Sequence, residues 1–190
     1  MGGSSRRMGT DKATLAVLGT PLGVVAVRAL HQAGLTDVVL VGGSSRQAAI
    51  CGAPALADLQ PGSGPRGGVI SALEWAGSRI LVVLACDLPH MTAQDVVALL
   101  DAADRHPSAD VIVATSSGRR CPPTGVWRAR AADRLRDAPG RSFVEAWSSL
   151  AVVDVELGAA AMDVDTPAQV AELDRVPELG RVTEPEGPPR

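Results

Sequence analysis

Aromatic side chains are scarce in this sequence, which has three Trp, one Phe and no Tyr among 190 residues. Proteins that bind single-stranded nucleic acid usually stack the bases on aromatic rings, so the composition disfavours that class. The formal net charge of −3 also argues against the clustered positive charge of a nucleic-acid surface. We therefore expect small-molecule partners and no nucleic acid.

Long apolar runs are absent as well. The longest ones, ILVVLAC (80–86) and DVIVA (110–114), are far shorter than the roughly 20 residues that span a bilayer. The N-terminus is polar and glycine-rich, unlike a secretory signal. Three cysteines without CxxC spacing predict reduced thiols and no zinc site. These features predict a soluble, cytoplasmic protein without membrane contact.

Short apolar runs alternate with segments of helical periodicity, the pattern of βαβ units. Strands are predicted at 37–41, 79–85, 110–115 and 151–156, and helices at 22–33, 69–76, 93–103 and 166–174. The strands are apolar on both faces, which indicates cover on both sides. The fold class is therefore α/β: a three-layer α/β/α sandwich around a mostly parallel, Rossmann-like sheet.

The length fits a single domain, predicted to span residues 1–175. The last residues, 176–190, include four prolines and little to bury, so a disordered C-terminal tail is expected there.

A glycine-rich segment, GGSSRRMGTDKA (2–13), opens the chain. Gly2 and Gly3 allow backbone amides to approach an anion closely, while Arg7 and Lys12 add positive charge. Lys12 is the only lysine among 18 basic residues. The spacing matches neither GxxxxGK[ST] nor GxGxxG, which excludes those two nucleotide-binding motifs. Composition alone would also fit a mobile N-terminal tail.

Carboxylates follow several of the predicted strands. Asp87 ends the buried run 80–86, at the edge of an α/β sheet where ligands bind, and a carboxylate there suits Mg²⁺. Asp58 lies in a Pro- and Gly-rich loop, where it binds a ligand or simply belongs to a turn. Asp163 and Asp165 lie on one side of an extended segment, either facing the ligand cleft or serving the next helix N-terminus. His90 is expected to be an exposed turn residue.

The opening segment resembles the motif AGGxSxRMGxDKA of the molybdenum cofactor guanylyltransferase (MobA) family, within the nucleotidyltransferase superfamily. Three further stretches are similar in the same order. DLQPGSGPRGG (58–68) resembles an Asp followed by GPLAG, ACDLP (85–89) resembles CDMP, and DVDTP (163–167) resembles NxNTP or DxDTP. The resemblance implies a nucleotide-diphospho-sugar transferase type of fold.

The resemblance also implies roles for individual residues. In that family GTP is contacted by the loop glycines and lysine, here Gly2, Gly3 and Lys12, with Arg7 beside them. The family's nucleotide-binding acid corresponds to Asp58 and its Mg²⁺ ligand to Asp87. Lys12, Arg7 and Asp87 would then be catalytic. The implied reaction transfers GMP from GTP to molybdopterin and releases pyrophosphate, and the implied protein partners are molybdenum cofactor biosynthesis proteins and molybdoenzymes.

The match departs from the family at two places. The family places a strand ahead of the glycine-rich loop, and this sequence begins at the loop, so a truncated first strand, from a start codon placed too late, is expected. Arg66 and Gly67 replace the usual Leu-Ala. Three alternatives stay open: a cytidylyltransferase acting on the same cofactor, a sugar-phosphate nucleotidyltransferase, or a non-catalytic nucleotide-binding protein.

Overall fold

The structure is a computed structural model that describes residues 12–140 and 142–173. In that part of the chain the helices are α1 (Leu22–Gln32), α2 (Ser45–Cys51), α3 (Gly64–Ala76), α4 (Ala93–Arg105), α5 (Ala131–Asp137), α6 (Phe143–Ala146) and α7 (Pro167–Leu173). The strands are β1 (Ala16–Val17), β2 (Thr20–Pro21), β3 (Leu40–Val41), β4 (Ala55–Leu56), β5 (Leu81–Val83), β6 (Val111–Ser116), β7 (Arg119–Trp127) and β8 (Val152–Glu156). The predicted tail at 176–190 lies outside the described residues.

A four-stranded sheet forms the centre, in the order β5-β7-β6-β8. Strands β6 and β8 run parallel, whereas β7 runs antiparallel to both of its neighbours, β5 and β6. Strands β3 and β4 form a separate parallel pair, and β1 and β2 form a short hairpin. The α/β, Rossmann-like class is confirmed, with one correction: the described sheets are mixed in direction, not mostly parallel.

The correction comes from β7, the one strand of the four-stranded sheet that the sequence pattern does not predict. Strand β7 follows β6 through a two-residue turn at Ser117 and Gly118, which have φ angles of 51° and 73°. Positive φ at both central residues is typical of a tight hairpin turn that matches the twist of the strands. The turn reverses the chain at once and makes β7 antiparallel.

Pro122 and Pro123 explain why the sequence does not predict a strand at β7. Proline lacks a backbone N–H and argues against a central strand. The pairing between β6 and β7 shifts register between Val113 and Thr115, so the two prolines lie in an irregular part of the ladder where fewer amides must be paired. The same irregular stretch carries Thr124, which is fully buried.

Helices cover both faces of the four-stranded sheet. Val111 and Val113 of β6 pack in one apolar cluster with α3, α5 and α6. Their neighbours Ile112 and Ala114 face the opposite side and pack in a second cluster with α4. Alternate residues of one strand therefore serve two cores, and the predicted three-layer sandwich is confirmed.

Three of the four predicted helices have the expected bounds, and one is longer. Helices α1, α4 and α7 match within two residues, and Thr92 caps α4 in a capping box with Asp95. Helix α3 begins at Gly64, five residues earlier than predicted, because Pro65 at a first-turn position is compatible with a helix start. Among the described residues no helix is both long and apolar enough to cross a bilayer, and α3 and α4 reach only 13 residues.

Asp110, which precedes β6, ties three elements together. Its carboxylate is 1% exposed, accepts hydrogen bonds from Arg130 Nε at 2.8 Å and from the Ala151 amide at 2.8 Å, and lies 3.3 Å from Arg134 Nη1. We predict that Asp110→Ala lowers the free energy of unfolding by about 3 kcal/mol, because it removes the buried carboxylate that joins the Ala151 amide to Arg130 and Arg134. Urea denaturation measures this.

Asp133→Ala is the matched control, since Asp133 pairs with Arg136 at 2.6 Å but is 84% exposed. Exposed ion pairs contribute little, so we expect this variant to stay within about 0.5 kcal/mol of the parent. Equal losses in both variants would contradict the role given to Asp110.

Candidate active site

Lys12 lies where the described chain begins, in a single 3-10 turn at Lys12–Thr14. The next residue, Ala13, is 1% exposed and packs against α1 at Gly23, where any Cβ would lie only 3.0 Å from the Ala13 carbonyl oxygen. This packing fixes the backbone beside Lys12. The Lys12 ammonium donates hydrogen bonds to Asp87 Oδ2 at 2.8 Å and to Asp165 Oδ1 at 2.6 Å.

Asp87 follows β5 by four residues, as the sequence predicts. Its carbonyl oxygen accepts a hydrogen bond from the Val164 amide at 3.0 Å, which fastens the segment before α7 to the segment after β5. Val164 is 3% exposed and points into the protein, so Asp163 and Asp165 point to the other side. One oxygen from each of Asp87, Asp163 and Asp165 lies within 4.8 Å of the other two.

Asp163 and Asp165 therefore match both expected placements, in the cleft and before a helix N-terminus. They face the cleft together with Asp87, and the segment also starts a helix. Gln169 Oε1 accepts from the amides of Asp165 and Thr166, each at 2.9 Å, and Thr166 Oγ1 accepts from the Gln169 amide at 3.3 Å. A capping box is thus present at the start of α7, and it fixes the backbone of the segment that carries the two acids.

The electrostatics of the cluster follow from this crowding. Partial burial by itself would lower the pKa of Lys12, but the hydrogen bonds to Asp165 and Asp87 outweigh it and raise that pKa well above its usual range. Burial, together with the charges of Asp165 and Asp87, raises the pKa of Asp163. Within residues 12–140 and 142–173 the cluster contains three carboxylates, and Lys12 forms ion pairs with two of them.

Asp58 lies in the loop between β4 and α3, and its carboxylate contacts a serine of that helix, Ser71. Its Oδ1 accepts a hydrogen bond from the Gln60 amide at 2.9 Å and lies 3.1 Å from Ser71 Oγ, whose single proton is shared between Asp58 and the Gly67 carbonyl oxygen at 3.0 Å. Ser71 is 1% exposed and also accepts from the Leu59 amide at 3.0 Å. With Oδ1 occupied, Oδ2 has no hydrogen-bond partner within the described residues and is available to a ligand.

Arg66 has a structural role that accounts for its departure from the family pattern. Its guanidinium is buried and donates to the backbone carbonyl oxygens of Pro139 at 3.1 Å, Ser142 at 3.5 Å, Ala138 at 3.1 Å and Gly140 at 2.6 Å. These bonds clamp the start of α3 to the loop after α5. The adjacent Gly67 is required because a Cβ there would lie 2.7 Å from Ser63 Cβ.

Lys12, Asp58, Asp87 and Asp163 line one cavity of about 740 Å³. Three of the six predicted site residues thus line one cavity, and two of them, Lys12 and Asp87, are in direct contact beyond the carboxyl end of β5. Gly2, Gly3 and Arg7 lie outside the described residues. His90 is exposed, as expected. Sequence reasoning missed Ser71, and its one signal was a serine in the middle of an otherwise apolar helix.

The carboxylate cluster fits a divalent cation. Mg²⁺ prefers hard oxygen ligands and usually takes one or two carboxylates, with water and substrate phosphates completing its shell. Asp87, Asp163 and Asp165 provide such oxygens, and the Lys12 ammonium already lies between two of them as a cation. The residues present therefore suit the metal that the resemblance implies.

A lysine and clustered carboxylates at the carboxyl edge of an α/β sheet, beside a cavity, are the groups that a nucleotidyltransferase uses to bind phosphates and a metal ion. The chain belongs to the MobA-like NTP transferase family, whose model matches residues 1–153. A protein of Rhodobacter capsulatus named molybdenum cofactor guanylyltransferase is 30% identical over 187 residues, which cover 95% of this chain and 90% of that protein.

Two further comparisons define the extent of the similarity. A probable molybdenum cofactor guanylyltransferase of Opitutus terrae is 40% identical over 95 residues, which cover 48% of this chain and only 47% of that protein. The crystal structure of molybdopterin-guanine dinucleotide biosynthesis protein A from Archaeoglobus fulgidus superposes with a TM-score of 0.70, at 21% identity, and covers 91% of this chain and 93% of that one. At that identity the superposition supports the fold alone.

Cys121 of β7 lines the same cavity, and the pKa of its thiol depends on the nearby carboxylates. Burial, and then the charges of Asp163 and Asp87, raise the pKa of its thiol to about 11. A raised pKa keeps the thiol protonated, so at pH 8 Cys121 should hold about a hundredfold less thiolate than an unperturbed cysteine. We predict correspondingly slow alkylation, measured by peptide mass spectrometry against the urea-unfolded chain.

Asp163→Asn removes one of the negative charges and should speed alkylation of Cys121, whereas the distant Asp133→Asn should not. Alkylation of folded Cys121 at the unfolded rate would contradict the electrostatic assignment.

Proposed function

We propose that this chain is a molybdenum cofactor guanylyltransferase, which transfers GMP from GTP to the terminal phosphate of molybdopterin and releases pyrophosphate. The observation that carries the proposal is the convergence of Lys12, Asp58 and Asp87 in one cavity. Membership of the MobA-like family and relatives bearing that activity in their names support it.

The bond changes are those of a single in-line displacement. An oxygen of the molybdopterin phosphate forms a bond to the α-phosphorus of GTP, and the bond from that phosphorus to the oxygen bridging to the β-phosphate breaks. The electron pair leaves with pyrophosphate. A phosphate monoester is already anionic at neutral pH, because its second pKa is near 6, so the attacking group needs no general base.

The chain's own residues then act by position and charge. Lys12 is suited to bind the phosphates as a compact point charge. Asp87, with Asp165 and Asp163 beside it, would hold Mg²⁺, which supplies positive charge to phosphate oxygens when bound. Gly2, Gly3 and Arg7 are proposed to complete the phosphate site through loop amides and a guanidinium.

Asp58 is proposed to bind the nucleoside part of GTP. Its Oδ1 is occupied by Ser71 and by the Gln60 amide, so a single oxygen, Oδ2, is offered as a hydrogen-bond acceptor. The acceptor suits an N–H of the base or a ribose hydroxyl. Protein partners in cofactor synthesis or delivery, and a cytoplasmic location, are part of the same proposal.

A pyrophosphate-release assay with molybdopterin and a panel of GTP, CTP, ATP and UTP tests the function. We expect transfer with GTP. Lys12→Ala and Asp87→Ala should each lower turnover by about a hundredfold, the usual cost of one lost charge contact in a transition state. Asp133→Asn, far from the cavity, should keep parental turnover.

Other outcomes would overturn specific parts of the proposal. A clear preference for CTP would make the chain a cytidylyltransferase, and transfer to a sugar phosphate would replace the acceptor. Binding of GTP with no pyrophosphate release from any acceptor would make it a non-catalytic nucleotide-binding protein. Near-parental turnover in Lys12→Ala or Asp87→Ala would refute the site.

Ser71 provides a test of how Asp58 is held. We predict that Ser71→Ala raises the KM for GTP about tenfold and changes kcat little, because it releases the Asp58 carboxylate without touching the reacting phosphates. Ser148→Ala removes a comparable serine-to-carbonyl bond on the surface and is the control. An equal fall in kcat, or an unchanged KM, would show that Ser71 does not position Asp58.

A further inference from the structure

The Lys12 ammonium is bound where the proposed function needs a metal ion. Its nitrogen lies 2.8 Å from Asp87 Oδ2 and 2.6 Å from Asp165 Oδ1, and both oxygens belong to the three-carboxylate cluster. The side chain of Lys12 is 19% exposed, that of Asp87 18%, and water therefore screens this pair only in part.

A divalent cation and this ammonium cannot use the same oxygens without strong repulsion. Mg²⁺ lies about 2.1 Å from its ligands, so an ion on Asp165 Oδ1 would be less than about 5 Å from a nitrogen 2.6 Å from that oxygen. A +2 and a +1 charge at that separation repel strongly in a partly buried site.

We propose that the oxygens of Asp87 and Asp165 form one cation subsite, which the Lys12 ammonium and a divalent cation occupy in turn. Binding of the divalent cation displaces the ammonium from the carboxylates and frees it for the triphosphate of the nucleotide. The proposal rests on the function proposed above for the role of the freed lysine, but the exchange itself involves only this chain and the metal.

The exchange changes the charge that an incoming triphosphate meets. With its carboxylates ionised, the cluster of Asp87, Asp163, Asp165 and Lys12 carries three negative charges and one positive charge, a net −2. A bound divalent cation brings the sum to zero and leaves the lysine charge unpaired. The nucleotide is thereby received only after the metal has removed the repulsion.

The chain allows an unusually direct experiment because Lys12 is its only lysine. Labelling with [Nζ-¹⁵N]lysine gives one side-chain NMR signal that needs no assignment. MgCl₂ is titrated without nucleotide at constant ionic strength, and cation binding is measured separately by calorimetry and by Mn²⁺ electron paramagnetic resonance. We expect the ammonium signal to move along the same binding curve and its protons to lose their protection from solvent exchange.

Variants separate exchange from a general effect of charge. Lys12→Met should bind Mg²⁺ at least about tenfold more tightly, since it removes the competing cation. Asp165→Asn should weaken Mg²⁺ binding and leave the Lys12 protons poorly protected even without metal. Asp133→Asn removes the carboxylate of an exposed pair with Arg136, also at 2.6 Å, and should change neither.

Three results would overturn the proposal: no binding of a divalent cation, binding with an unmoved Lys12 signal, or unchanged Mg²⁺ affinity in Lys12→Met. All readouts use Mg²⁺ or Mn²⁺ alone, without nucleotide. A failure of guanylyl transfer would therefore leave them intact, and their failure would leave the transfer assay intact.

Discussion

The hydrogen bond from the Val164 amide to the Asp87 carbonyl oxygen joins the two halves of the acidic cluster. It is the backbone contact between the segment before α7 and the segment after β5, and the bonds of Lys12 to Asp87 and Asp165 join the same two segments through side chains. Because Val164 is buried, the bond also fixes which way its neighbours point, and Asp163 and Asp165 turn toward Asp87. Lys12 then has two carboxylates to bind, which raises its pKa and holds the start of the described chain in place.

A second set of tethers holds the other side of the cavity. Ser71 fixes one oxygen of Asp58, and Arg66 clamps the start of the same helix, α3, to the loop after α5. The four carbonyl oxygens replace the hydrogen bonds that the buried guanidinium would make to water, so its donors are satisfied inside the protein. Arg66 therefore has a structural role at a position where the family usually has Leu.

Sequence reasoning predicted positions where the signal is local and failed where it depends on a distant partner. The position of Asp87 was predictable because an acid after a buried strand lies at the sheet edge, and Lys12 drew attention because it is the sole lysine, while the roles of both residues stay predictions. The spacing of Asp163 and Asp165 predicted that the two acids share one side of an extended segment. It did not predict that Asp87 and Lys12 lie on that side. Ser71 gave almost no signal, and β7 was hidden by Pro122, which is tolerated only because the ladder is irregular there. The loop residues Gly2, Gly3 and Arg7 stay predictions.

The bond between Lys12 and Asp165 joins residues 153 positions apart. The acidic partner also lies beyond residue 153, where the match to the family model ends. Contacts of such separation are costly in loop entropy and form late in folding. During synthesis the N-terminal part of the chain emerges long before the acid that completes the cluster. The cation site is therefore incomplete until the segment after the last strand has been made, and metal binding can serve as a sign that the described domain has been synthesised and folded.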